Sequence, residues 1–134
     1  MEFFKIIERK TTEKQIQESL TLSTLDKMTH LLFIIGDQNE RQAEIGGLWG
    51  EFTLTRSEIK GGLRFALKEC PNALAWTITT GYPPACEAIV IHLTINRQQK
   101  KQDFLEEIAE FMDDHEICLQ AVFAPLTTSD SAPS

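Results

Sequence analysis

The chain has 134 residues, a net charge of −7 and 42% apolar residues, a composition typical of one globular domain. The sequence pI near 4.9 disfavours nucleic acid and anionic membranes as main partners, because both attract a basic surface. No apolar run approaches the roughly 20 residues of a membrane-spanning helix, and Met1–Lys10 lacks the apolar core of a signal peptide. We therefore expect a cytoplasmic protein that does not enter a membrane.

Three cysteines, Cys70, Cys86 and Cys118, form no CxxC or Cys/His ligand pattern. Their spacing predicts reduced thiols, with no metal site and no cofactor. The chain also lacks the motifs of serine hydrolases, zinc proteases and phosphate-binding loops. No catalytic residue is identified, so a binding protein is favoured over an enzyme.

In the first third of the chain, the apolar residues of Phe3–Ile7 predict a strand or a packed arm. Thr12 and Gln15 match a helix capping box, and helical turns are expected from there to about Met28. The continuous apolar segment 30–36 (HLLFIIG) predicts a central strand.

In the middle of the chain, a strand is predicted within residues 42–55, where Gly46, Gly47 and Gly50 interrupt the pattern. A capping box at Thr55 and apolar residues at helical spacing predict a helix to Cys70. The Gly61-Gly62 pair lies inside this helix and would weaken it, which indicates a close approach to another element.

Alternating or continuous apolar residues predict further strands at residues 73–80, 86–95 and 117–123. From residue 48 onward the predicted order is strand, helix, strand, strand, helix, strand, which is typical of a ferredoxin-like split βαβ core. The sequence thus predicts an α+β fold with a single-layer antiparallel sheet, two helices on one face from about 48 to 123, and an N-terminal helix/strand extension. Residues 1–124 are expected to form one domain and 125–134 a flexible tail.

The second predicted helix, Arg97–Glu116 with Asn96 as its cap, carries seven of the chain's 20 acids. Residues 1 to 102 hold 13 bases and 12 acids, whereas this helix places seven acids outside its apolar face. The acids at its end oppose the helix dipole, and Glu106 repels Glu110 one turn away. Such a helix is not explained by stability alone.

These features predict a small acidic protein that binds another protein, as an inhibitor or immunity-like protein, a regulator or an adaptor. A basic surface on the partner would complement the helix. Trp49, flanked by glycines, is either an interface anchor or a core residue. The predicted partner-binding residues are Asp103, Glu106, Glu107, Glu110, Asp113, Asp114 and Trp49.

The alternative hypothesis is a small-molecule binding or catalytic domain with a pocket on the sheet near His92. A homodimer formed through the bare sheet face around Val90 and His92 is a third hypothesis. His115 lies among acids that could raise its pKa, and metal binding there would be adventitious. His30 has no evident partner in the sequence.

Overall fold

The computed structural model describes residues 1–83, 85–96 and 101–124. Within these residues the chain is α+β, with seven strands in one antiparallel sheet, three helices and a 3-10 turn at Leu22–Thr24. The strands are β1 (Glu2–Ile7), β2 (Leu32–Gln38), β3 (Gln42–Gly47), β4 (Phe52–Ile59), β5 (Gly62–Leu67), β6 (Ala75–Thr80) and β7 (Ile89–Thr94). The helices are α1 (Glu13–Ser19), α2 (Leu25–Met28) and α3 (Gln102–Val122).

The sheet is a run of hairpins closed by one long-range pairing. Its strand order is β1-β7-β6-β5-β4-β3-β2, so strands β2 to β7 pair with their neighbours in sequence. Strand β1 pairs antiparallel with β7, from Glu2 opposite Thr94 to Ile7 opposite Ile89. The N-terminal strand is therefore held by residues almost 90 positions away, and β1 and β2 form the two edges of the sheet.

A single apolar core joins the sheet to the helices. Alternate residues of β7, namely Ile89, Ile91 and Leu93, are fully buried, as expected when one face of a strand is covered. The core also includes buried residues of all three helices, among them Ile16 of α1 and Phe111 of α3. Trp76 of β6, which the sequence assigns to the sheet, is buried in this core.

The helix predicted between Thr55 and Cys70 is wrong, because this segment forms the β4–β5 hairpin. Ile59 pairs with Gly62, so two residues make the turn, and Gly61 has a positive φ of 91°, a conformation that glycine adopts without strain. The apolar residues Leu63, Phe65 and Leu67 alternate in β5, as a half-buried strand requires. The four-residue spacing of Ile59, Leu63 and Leu67 fits a helix as well, which explains the wrong prediction. The ferredoxin-like order of elements is consequently not confirmed.

The last strand, predicted at residues 117–123, is also wrong, since these residues continue α3 to Val122. The cap of α3 is Lys101, whereas the side-chain amide of Asn96 donates a hydrogen bond to the Pro71 carbonyl. Asp113 and its acidic neighbours therefore lie in the middle of a 21-residue helix. The predicted conflict with the helix dipole no longer applies, because that field acts on the terminal turns. Arg97 and the tail 125–134 lie outside the described residues.

Gly62 tests the packing of β5 against β6. A methyl group at Gly62 would overlap the carbonyl oxygen of Ile78, which is backbone and cannot rotate away. We expect Gly62→Ala to lower the free energy of unfolding by about 1–3 kcal/mol, measured by urea denaturation. Gly36→Ala is the control, because its methyl group meets only the flexible side chain of Glu44. Equal losses in both variants would contradict this packing.

Candidate functional site

The exposed side of α3 carries a line of acids. Asp103, Glu106, Glu110 and Asp113 are exposed and follow one another at three- and four-residue spacing, so they share one side of the helix. The line ends at Ile117, a residue that is 65% exposed. We call these five residues, together with the half-buried Glu107 beside Glu106, the outer stripe; it extends about 21 Å along the helix axis.

The acids of α3 divide into those with internal partners and those without. Lys5 of β1 forms ion pairs with Asp113 at 2.7 Å and with Glu116 at 3.7 Å. The hydrogen bond from Lys5 to Asp113 raises the pKa of Lys5. In the described part of the chain, no base lies within ion-pair distance of the remaining acids on the exposed side, Asp103, Glu106, Glu107 and Glu110.

His115 lies on the opposite, inner side of α3 and is fully buried. Its Nδ1 donates a hydrogen bond to the carbonyl oxygen of Met28 at 2.6 Å, and its ring stacks on Phe111 at 5.2 Å. Burial lowers the pKa of His115 to about 4, although the contact with Met28 and the charge of Asp114 act in the other direction. The expectation of a raised pKa is therefore wrong, because desolvation outweighs the neighbouring acids.

Asp114 also points inward and holds the residues that follow α2. Its Oδ2 accepts hydrogen bonds from the Thr29 hydroxyl at 2.6 Å and from the His30 amide at 2.9 Å. Its Oδ1 lies 3.1 Å from Nδ1 of His30. Burial alone would raise the pKa of Asp114, but these hydrogen bonds and His30 hold it below the ordinary value.

Cys118, one turn further along α3, completes a cluster with His30 and Asp114. Its Sγ lies 3.8 Å from His30 Nδ1 and 3.9 Å from Asp114 Oδ1. Burial raises the pKa of the Cys118 thiol, and the charge of Asp114 raises it further, so the free thiol remains protonated at neutral pH. This His30–Asp114–Cys118 cluster borders a groove of about 610 Å³ between the α1–α2 region and the end of α3.

Trp49 and His92, the other candidates from the sequence, lie elsewhere. Trp49 is half-buried beside α3, with its ring 5.1 Å from that of Phe111, so it packs against the core. His92 faces away from the core, with Nε2 2.8 Å from a carboxylate oxygen of Glu2 and its ring stacked on Phe4 at 4.3 Å. His92 lines none of five cavities found among the described residues.

The cluster around His30 was not identified from the sequence. His30 and Asp114 are 84 residues apart, and only the packing of α3 brings them together. The one local signal is the spacing of Asp114 and Cys118, which places both on one side of a helix. Of the helices in the described residues, none has the length and apolar character needed to cross a membrane.

Substituting Asp113 and Asp114 separately compares how much an exposed acid and a partly buried acid of α3 contribute to stability. We expect Asp114→Ala to lower the free energy of unfolding by about 2–4 kcal/mol, because it removes two hydrogen bonds to a partly buried carboxylate. Asp113→Ala removes an ion pair in which Asp113 is 61% exposed, so the expected loss is below about 1 kcal/mol. Urea denaturation measures the free energy of unfolding of both variants. Equal losses would show that Asp114 does not contribute more to stability than Asp113.

His115 predicts a pH dependence of stability. Between about pH 4 and pH 6.5 the His115 imidazole is neutral in the folded chain but protonated in the unfolded chain. The free energy of unfolding therefore falls as the pH is lowered from 6.5 towards 4. Between pH 7 and pH 5 the wild-type free energy of unfolding should fall by about 2 kcal/mol more than that of His115→Gln. Urea denaturation with EDTA present measures both. Parallel curves for the two proteins would contradict the buried neutral state.

No protein-family model matches this chain, and no curated protein shows significant sequence similarity to it. Its function must be inferred from the arrangement of its own residues.

Proposed function

We propose that this protein acts by binding another protein through the outer stripe of α3, as an inhibitor, regulator or adaptor. The observation that carries the proposal is the division of acids on this helix. Asp114 and Glu116 have internal partners, whereas Asp103, Glu106, Glu107 and Glu110 have no base within ion-pair distance in the described residues.

Carboxylates with no base within ion-pair distance in the described residues suit a basic partner surface. Within that part of the chain, their only side-chain hydrogen bond is the one that Glu106 accepts from the Gln102 amide at 3.3 Å. Glu106 and Glu110 are one turn apart and repel each other by a few tenths of a kcal/mol, a cost that a cationic partner would remove. A field of one sign also accelerates association with a partner of the opposite sign and disfavours acidic competitors. Ile117 at the end of the stripe offers an exposed apolar contact beside the charges.

Contacts within the chain make some of the proposed partner-binding residues better candidates than others. Asp114 contacts Thr29 and His30, and Trp49 packs against Phe111, so neither is needed to explain binding. Asp113 already pairs with Lys5 and would have to share its charge with the partner. Glu106, Glu107 and Glu110 are therefore the residues on which binding should depend most.

A charge-matched pair of variants tests the stripe. In Glu106→Gln/Glu107→Gln/Glu110→Gln, three negative charges are removed from α3 while side-chain size is kept. In the control, Glu8→Gln/Glu18→Gln/Glu40→Gln, the same charge is removed from exposed positions on other elements. Each protein is immobilised at full length and used to capture proteins from an extract of the source organism at increasing salt.

We expect wild type and control to capture a basic protein that the stripe variant loses. Capture should weaken as salt rises, because the screening length falls to about 10 Å at 0.1 M. With the captured protein purified, the stripe variant should bind at least about tenfold more weakly, mainly through slower association. A partner held equally by both variants and insensitive to salt would remove the stripe from the mechanism.

A further inference from the structure

The donor atoms of the His30–Asp114–Cys118 cluster form a triangle of the size that a tetrahedral zinc ion requires. Its sides are 3.1 Å from Nδ1 to Oδ1, 3.8 Å from Sγ to Nδ1 and 3.9 Å from Sγ to Oδ1. Zinc bonds of about 2.0 Å to nitrogen and oxygen and about 2.3 Å to sulfur would place these atoms about 3.3, 3.6 and 3.5 Å apart. Each side needs to change by only about 0.2–0.4 Å.

From this geometry we propose that the protein binds one zinc ion through His30 Nδ1, Asp114 Oδ1 and Cys118 Sγ. A thiolate, an imidazole and a carboxylate together favour zinc over magnesium or calcium, which prefer oxygen ligands alone. The ion would replace the proton between His30 and Asp114 and the proton of the thiol, as metals do at such ligands. No acid of the outer stripe is a ligand, so zinc binding can be tested separately from the proposed partner binding, although Ile117 borders both the stripe and the groove.

The carboxylate of Asp114 is already oriented for this role. The Thr29 hydroxyl and the His30 amide both bond to Oδ2, which leaves Oδ1 directed at the other two donor atoms. Outer hydrogen bonds of this kind set the direction of a metal-binding carboxylate and are a usual part of zinc sites. His30, whose side chain is 74% exposed, supplies the nitrogen ligand from the segment that follows α2.

Three protein ligands leave a fourth position for water or for an atom of a bound molecule. Zinc sites that act on a ligand have this open coordination, whereas structural sites are closed by four protein ligands. Here His30 and Cys118 line the groove described above, together with Lys27 and the apolar side chains of Ile117 and Val122. The groove gives a ligand access to the cluster from the protein surface.

Cobalt spectroscopy and zinc competition test the site directly. The full chain is reduced, stripped of metal with a chelator and titrated with Co²⁺, then with Zn²⁺ against a coloured chelator. We expect one Co²⁺ per chain with a thiolate-to-cobalt charge-transfer band, and displacement of Co²⁺ by Zn²⁺. Cys118→Ser should abolish the band, and His30→Gln should weaken Zn²⁺ binding by at least about tenfold.

Matched controls separate this site from adventitious binding. Cys86→Ser removes an exposed thiol and His92→Gln a sheet-face imidazole, both outside the cluster, and both should leave the band and the affinity unchanged. His30 is exposed, so its substitution tests the ligand without disturbing the core, and circular dichroism checks the fold of the Cys118 variant. A wild-type chain that binds no metal or shows no thiolate band overturns the proposal. The proposal is also overturned if the thiolate band persists in Cys118→Ser, if His30→Gln keeps the wild-type Zn²⁺ affinity, or if Cys86→Ser or His92→Gln loses the band.

Discussion

The rest of the structure depends on how α3 docks onto the end of α2, at Met28, Thr29 and His30. Two consecutive residues make this contact: His115 reaches the Met28 carbonyl, and Asp114 reaches Thr29 and His30. Neighbouring positions on a helix point about 100° apart, so two such contacts fix the rotation of the helix about its axis. That rotation decides which acids face solvent and brings Cys118 to His30.

The same helix thus uses one residue type in two ways. Acids on its inner side and near β1 have internal partners and hold the helix in place, as Asp114 does with Thr29 and Glu116 with Lys5. Acids further towards its N-terminal end extend into solvent with no base nearby in the described residues, and there their charge is available to a partner. Charge count alone does not separate these groups, since all seven acids contribute equally to the net charge.

Much of the α+β organisation could be predicted from local patterns. The strands near residues 73–80 and 86–95 and the Thr12 helix cap are confirmed, because alternation and capping depend on near neighbours. Residues 30–36 do include a strand, but β2 lies at an edge of the sheet with Phe33 and Ile35 exposed, so the predicted central position is wrong. The β4–β5 hairpin is not predicted, because its apolar residues fit two periods and a Gly61-Gly62 pair is compatible with a weakened helix as well as with a turn. The cluster at His30 could not be predicted, since its members meet only through the packing of α3.

The pairing of β1 with β7 has a consequence for how the chain reaches this structure. Residues 2–7 are synthesised well before their hydrogen-bonding partner, Ile89–Thr94. The core face of β1 is also left uncovered until α3 has been made, because Lys5 on that face pairs with Asp113 of α3. Contacts so distant in sequence form slowly. During synthesis β1 therefore remains an unpaired apolar strand until β7 and α3 have both been made.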